Sequence, residues 1–214
     1  MKKNMPVIEF FFDCSSPWTY LAWRAVQPLA AELKASISWR PVLVGGIFNS
    51  VNKGIYTARE DLNSPKNRYV LKDLQDCARE AGVEIVFPPK VFPVNSVKAM
   101  RGCLWITRDA ETRGVKSPFL GFVEATFAAY FTRQEDISQD DVLAAICAQS
   151  GIDTAAFMAG IAQPDIKEAL KANTEEAIAR GAFGSPTFFV GNDMYFGNDR
   201  LPLVASALRR AAAV

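Results

Sequence analysis

The sequence predicts an α/β fold in which a βαβ unit and a ββα unit are separated by a long helical stretch. Three observations predict it. Segments of strand character lie only near the two ends: Val7–Asp13 and Ile37–Val44 at one, Phe188–Val190 and Met194–Phe196 at the other. Residues from about Ser64 to Arg180 carry mostly helical periods. A strand-to-helix turn, Ser16-Pro17-Trp18-Thr19, follows the first strand, and a proline loop, Phe183-Gly184-Ser185-Pro186-Thr187, precedes the third. Strands confined to the ends argue against a doubly wound sheet, in which they would alternate with helices throughout.

The elements follow in order. After Val7–Asp13, apolar Trp18, Leu21, Ala25, Leu29 and Leu33 recur at helical spacing from Pro17 to about Leu33. Pro17 suits a first helical position, where a missing N–H costs nothing, and Pro28 predicts an interior kink. Ile37–Val44 is the second strand, ended by Gly45-Gly46 and parallel to the first through a right-handed crossover. A polar loop is expected over Asn49–Asn63. Ser64-Pro65 opens a helix that Gly82 stops, and Val83–Pro93 is extended and proline-rich. Further helices are expected over about Ser96–Arg113, Pro118–Phe131, Gln139–Ser150, Thr154–Ala162 and Asp165–Arg180, with Ser138-Gln139-Asp140-Asp141 resembling a capping box. Phe188–Val190 and Met194–Phe196 form a hairpin about Gly191-Asn192-Asp193, and a last helix covers about Asp199–Ala212. The expected division is one unit of residues 1–50 with 181–214, and a helical insertion over 51–180.

Composition excludes several chemistries. With 214 residues, half of them hydrophobic, the chain can bury a sizeable core. A net charge of +1 gives no reason to expect nucleic acid. No apolar run approaches the ~20 residues needed to span a bilayer, and Glu9 and Asp13 interrupt the only signal-like start. The sequence contains no histidine, which removes Ser-His-Asp and Cys-His catalysis and histidine-based zinc sites. Cys14, Cys77, Cys103 and Cys147 form no C-x-x-C pair, so neither a disulfide framework nor a metal site is expected. The last three sit in apolar helical patterns and are expected to be buried small hydrophobes in a reduced, cytoplasmic setting.

The turn and the loop look like two halves of a thioredoxin-type active site, but neither redox position of the turn holds a cysteine. The matching residues are Phe11 to Leu21, Gly46-Ile47-Phe48, Lys66, Tyr69, Phe183 to Thr187, and Phe196-Gly197-Asn198-Asp199-Arg200-Leu201. Together they resemble the 2-hydroxychromene-2-carboxylate isomerases, glutathione-dependent enzymes of aromatic catabolism. These share a thioredoxin-like fold with kappa-class glutathione transferases and, more distantly, with the bacterial thiol oxidases of the DsbA family. The resemblance implies that Ser16 contacts the glutathione sulfur and that Ser185, before Pro186, pairs with the glutathione backbone. It implies that Asn198 and Asp199 hold the γ-glutamyl end, that Asn52 reaches glutathione, and that Lys66 meets a substrate carboxylate beside Trp18 and Tyr69. It also implies a homodimer. Cys14 and Ser15 depart from the commoner apolar pair before the turn and raise the question of a second polar group near the sulfur.

Each residue also has a plainer role. Ser16 suits an N-cap, which is compatible with contact to a sulfur. A thiol of pKa about 8.5 is mostly protonated at neutral pH, and a helix N-terminus with a donating hydroxyl favours its thiolate. Pro186 can simply brace the fold, and Asn198-Asp199 can cap the last helix. Lys66 and Lys53 can be solvated charges, and Trp18 and Tyr20 can be core aromatics. Arg40 and Arg200 are expected in ion pairs. Three functions compete: the isomerase, a kappa-like transferase or peroxidase acting on small electrophiles, and a non-catalytic binding protein of the same fold.

Overall fold

The computed structural model describes residues 5–58 and 64–212. Four strands, β1 (Val7–Phe12), β2 (Ser36–Pro41), β3 (Thr187–Val190) and β4 (Asp193–Phe196), form one sheet in the order β2-β1-β3-β4. β1 runs parallel to β2, with Phe10 opposite Trp39, and antiparallel to β3, with Phe10 opposite Phe188. β4 completes the antiparallel edge. β2 is shorter than expected and ends level with β1: Pro41 lies opposite Phe12, and the Val42 amide just beyond it donates to the Phe12 carbonyl at 3.0 Å.

Helix α1 (Pro17–Glu32) leaves β1 through the Ser16 turn and continues through Pro28 without interruption. The expected loop at Asn49 is a finding of a different kind. Val44–Val51 is helix α2 and Gly54–Ala58 is helix α3, while residues 59–63 of that loop lie outside the described residues. Gly45-Gly46 therefore opens no turn. A Cβ at Gly46 would lie 3.4 Å from the Thr174 methyl, at ordinary contact distance, so this face of α2 packs against a neighbouring helix.

Helices α4 (Pro65–Glu80), α5 (Val97–Arg113), α6 (Phe119–Phe127), α7 (Asp140–Gln149), α8 (Thr154–Ile161) and α9 (Pro164–Ala179) fill the middle of the chain. Ser64 caps α4 by accepting from the Asn67 amide, and Gly82, at φ 64°, follows its end. After α6 the chain widens into a π-helical turn over Ala128–Thr132, where sequence periodicity predicts ordinary helix. The capping box at Ser138 does not form. Gln139 is the N-cap of α7, one residue later, and the Ser138 amide donates to Asp136 Oδ1 at 3.0 Å. A 3-10 turn, Asn198–Arg200, precedes α10 (Leu201–Ala212), so Asp199 lies in the turn and not in the helix.

Alternation along β1 sorts its side chains between two cores. Ile8, Phe10 and Phe12 join the large one with Trp23, Phe119, Phe122 and Leu208; Phe11 joins a smaller one with Ile47, Ala177 and Phe189. Phe10 stacks on Phe188 with ring centroids 4.6 Å apart. On the smaller-core face, Glu9 pairs with Arg180 at 2.8 Å, Arg180 with Glu176 at 3.1 Å, and Arg40 with Glu176. Arg180 lies 3.7 Å over the Phe189 ring. Arg40 is thus an ion-pair partner, as expected, and this network closes one edge of the smaller core.

Candidate functional site

The turn after β1 and the loop before β3 meet because β1 and β3 are neighbours in the sheet. Asp13, at the end of β1, is buried, and its carboxylate gathers the segments around it. Oδ1 accepts from the Ser15 amide at 2.9 Å and Oδ2 from the Val44 amide at 2.8 Å. Burial pushes the Asp13 carboxyl above its ordinary value, against the pull of those amides and of the Ser96 and Ser15 hydroxyls. Asp13 therefore ties the start of α2 to the turn.

Ser16 is the N-cap of α1, accepting from the Thr19 amide at 3.3 Å. It also reaches across the cleft: Ser16 Oγ donates to the Ser185 carbonyl at 3.1 Å. Ser185-Pro186 is a cis peptide bond. The Ser185 side chain points inward, accepts from the Asp13 amide at 3.1 Å, and lies 2.8 Å from the Thr19 hydroxyl. Pro186 gives its carbonyl to the Gly197 amide at 3.0 Å, and Thr187 Oγ1 donates to the Gly184 carbonyl at 2.9 Å. The loop is thus held on both sides, with the Ser185 carbonyl turned to the N-terminus of α1.

Asn52 caps the C-terminus of α2, and its Nδ2 donates to the Phe183 carbonyl at 3.1 Å. That bond brings the loop-region asparagine to the proline loop. Gly197, at φ 108° and ψ 152°, occupies backbone space open essentially to glycine alone, and there the chain turns into Asn198 and Asp199. Asp199 pairs with Arg200 at 2.5 Å and remains 64% exposed, so its carboxylate stays accessible. The turn packs against α1.

Lys66 and Tyr69 lie one turn apart on α4, both exposed, and share a face. No hydrogen bond or ion pair joins either to the turn or the loop among the described residues. Lys53 is exposed as well. Cys77, on the same helix, is only half-buried, not buried as expected. Its thiol is pushed up by desolvation and then by the charges of Asp73, Asp76 and Asp199. Trp18 is half-buried and packs against the large core. Tyr20 is a core residue, stacked on Phe127 at 4.7 Å.

Cys14 answers the question raised by its position. It is fully buried, its amide donates to Met100 Sδ at 3.3 Å on α5, and burial with neighbouring Cys103 holds its thiol well above the ordinary range. It faces the insertion and not the cleft. Cys103 and Cys147 are buried, as expected.

Sequence reasoning assigned no role to Thr19, Asp13 or the aromatic rim. Thr19 stands where a C-x-x-C turn has its second cysteine, and that position was its only signal. Phe183 and Phe196 lie with ring centroids 4.3 Å apart, and Phe48 of α2 meets Tyr56 edge-on at 6.3 Å. A Cβ on Gly184 would lie 2.8 Å from the Phe196 ring and 3.6 Å from that of Phe48, so these aromatics converge beside the proline loop. A hydroxyl at a helix N-terminus suits a sulfur anion, a facing main-chain edge suits a peptide, and an exposed carboxylate suits an ammonium group. This donor set fits glutathione. Among the described residues no cluster of three metal-ligating side chains occurs, and no helix is long and apolar enough to cross a membrane.

Known proteins resemble this chain over nearly its whole length. The chain is 27% identical over 204 residues to a 2-hydroxychromene-2-carboxylate isomerase of Pseudomonas putida, covering 95% of each. It is 27% identical over 211 residues to the human glutathione S-transferase kappa 1, covering 94% of this chain and 90% of that one. A solved 2-hydroxychromene-2-carboxylate isomerase structure superposes with a TM-score of 0.76 at 26% identity, over 95% of both chains. The model of the DSBA-like thioredoxin domain matches residues 7–209. With its thioredoxin-type sheet, its helical middle and its paired turn and proline loop, the chain belongs to the DSBA-like thioredoxin domain family.

Proposed function

We propose that this protein is a glutathione-dependent isomerase that interconverts 2-hydroxychromene-2-carboxylate and trans-o-hydroxybenzylidenepyruvate. The observation that carries the reading is the Ser16 hydroxyl, set at the N-terminus of α1 and 3.1 Å from the carbonyl preceding Pro186, in a turn without cysteine. A site so built cannot itself supply a thiol, and it suits one brought in. The similarity to proteins named for this reaction supports the same choice.

When bound, glutathione supplies a thiolate capable of reversible addition to a conjugated enone, which permits rotation about the former double bond. The chain supplies the rest. Ser16 and the positive end of the α1 dipole favour the sulfur anion; one charge-assisted hydrogen bond is worth about 1.5–3 kcal/mol, or roughly one to two pKa units. The Ser185 main chain, braced by Pro186, aligns the peptide, and Asn52 orders the loop through Phe183. Asn198 and Asp199 hold the γ-glutamyl ammonium and carboxylate end. Lys66 offers a cation to the substrate carboxylate, and Trp18 and Tyr69 line the aromatic part. Such orientation is itself a large share of the catalysis. A cytoplasmic homodimer is the expected setting.

A kappa-class activity, conjugating the same thiolate to an electrophile, is the second reading, favoured by the likeness to the human kappa enzyme. Turnover of the hydroxychromene with glutathione regenerated supports the isomerase; turnover of only a chloronitrobenzene acceptor selects the transferase. Calorimetry with no saturable glutathione binding would reject both and leave a binding protein of this fold.

A further inference from the structure

The Ser16 hydroxyl has one proton, and in the structure that proton is already committed. Ser16 Oγ donates to the Ser185 carbonyl at 3.1 Å and accepts from the Thr19 amide at 3.3 Å. A sulfur anion beside Ser16 can receive this hydrogen bond only if the carbonyl gives it up. The carbonyl has no freedom to seek another donor within the protein. Its own side chain is buried and fastened to the Asp13 amide at 3.1 Å and to the Thr19 hydroxyl at 2.8 Å. Pro186 brings no N–H, and the next donor along, the Gly197 amide, serves the Pro186 carbonyl at 3.0 Å. A partly buried carbonyl left without a donor disfavours the rearrangement. A ligand seated over the carbonyl also shields it from solvent, so the replacement comes with the ligand.

We infer that a main-chain N–H of the incoming thiol compound takes over the Ser185 carbonyl and thereby releases the Ser16 hydroxyl to the sulfur. Ser185 is then a positioning residue acting through Ser16, and the site discriminates among thiols by their backbone. A cysteinyl compound with an amide N–H beside the thiol-bearing residue is activated; a thiol without one lies in the cleft with its acidity little changed. No bond is made or broken in this step, since one hydrogen bond is exchanged for another. The inference rests on the reading that a glutathione-type thiol lodges with its sulfur beside Ser16.

The test compares glutathione with its ester analogue, in which the γ-glutamyl–cysteinyl amide is replaced by an ester that lacks the N–H. Ultraviolet titration of thiolate absorbance at saturation gives the acidity of each bound thiol relative to its own free value. Glutathione is expected to fall by about one unit or more, a tenfold gain in thiolate ratio, and the ester analogue to stay near its free value. In Ser16→Ala the difference between the two should vanish. Equal depression of both thiols in the unaltered protein overturns the inference, as does a difference that survives Ser16→Ala. An ester analogue that fails to bind at all also counts against it, because the N–H would then serve binding and not release. Absence of glutathione binding by calorimetry is a separate result, and it defeats the underlying reading instead.

Discussion

Ser185 is a single side chain on which three segments converge, and this convergence sets the cost of losing it. Its hydroxyl accepts from Asp13 at the end of β1 and pairs with Thr19 on α1, both buried. Ser185→Ala leaves the Asp13 amide and the Thr19 hydroxyl without a partner, which should cost about 1–3 kcal/mol in urea denaturation. Pairing it with Thr19→Val removes one orphan and should recover part of that loss; strict additivity would show that the two hydroxyls do not interact. The cysteines give a second residue-scale expectation. Burial pushes the Cys147 thiol up to about 11 and holds Cys14 well above the usual range. Native protein at neutral pH should thus react with an aromatic disulfide reagent only slowly, with Cys77 first. A fast, stoichiometric reaction at Cys14 would mean that the turn carries thiol chemistry after all.

At the scale of elements, α5 and α8 pack through absent side chains. A Cβ on Gly160 would lie 2.1 Å from Trp105 Nε1, and one on Gly102 would lie 2.6 Å from the Phe157 ring. Neither glycine needs a positive φ; each permits a close approach between helix and ring. Gly160→Ala should destabilise the protein by about 1–3 kcal/mol through overpacking, measurable as a lower denaturation midpoint at unchanged slope. A glycine in the sequence marked the end of α4 at Gly82, where φ is 64°, and Gly114 ends α5 with the same φ. The same residue type misled at Gly45-Gly46, because spacing cannot distinguish a stop from a contact surface. Likewise α6 and the π turn after it, from Phe119 to Thr132, have one apolar pattern, and the wider winding shows only in the hydrogen bonds, as where the Arg133 amide donates to the Ala128 carbonyl at 2.9 Å.

The whole molecule titrates through groups that link its parts. Tyr20 on α1 lies against Glu124 on α6, and burial together with that carboxylate pushes its hydroxyl up to about 12. In the unfolded chain the group ionises near 10, so between about 10 and about 12 the unfolded state has lost a proton that the folded state retains. Its contribution is complete below the lower value and is lost as pH rises through this window. Alkaline denaturation should therefore steepen there, and Tyr20→Phe should flatten the limb; an unchanged limb would separate Tyr20 from alkaline stability. Ligand linkage offers another whole-molecule measurement. Glutathione at a hundred times its dissociation constant should add about 2.7 kcal/mol, seen as a rise in melting temperature that Gly197→Ala reduces by disturbing the Asn198–Asp199 turn.

Local chemistry by itself determined the ends of most helices, the confinement of strands to the two termini, the missing histidine and the cysteine-free turn. Prolines, glycines, caps and apolar periods act over a few residues, and a sequence displays them directly. Tertiary structure alone decided what the Ser16 hydroxyl touches, where Asp13 is buried and which way Cys14 faces. Ser16 and Ser185 are 169 positions apart, and Asp13 and Ser185 are 172 apart. No short-range pattern encodes a hydrogen bond across that distance; it exists because β1 and β3 pair in one sheet and bring the two loops to the same end of it.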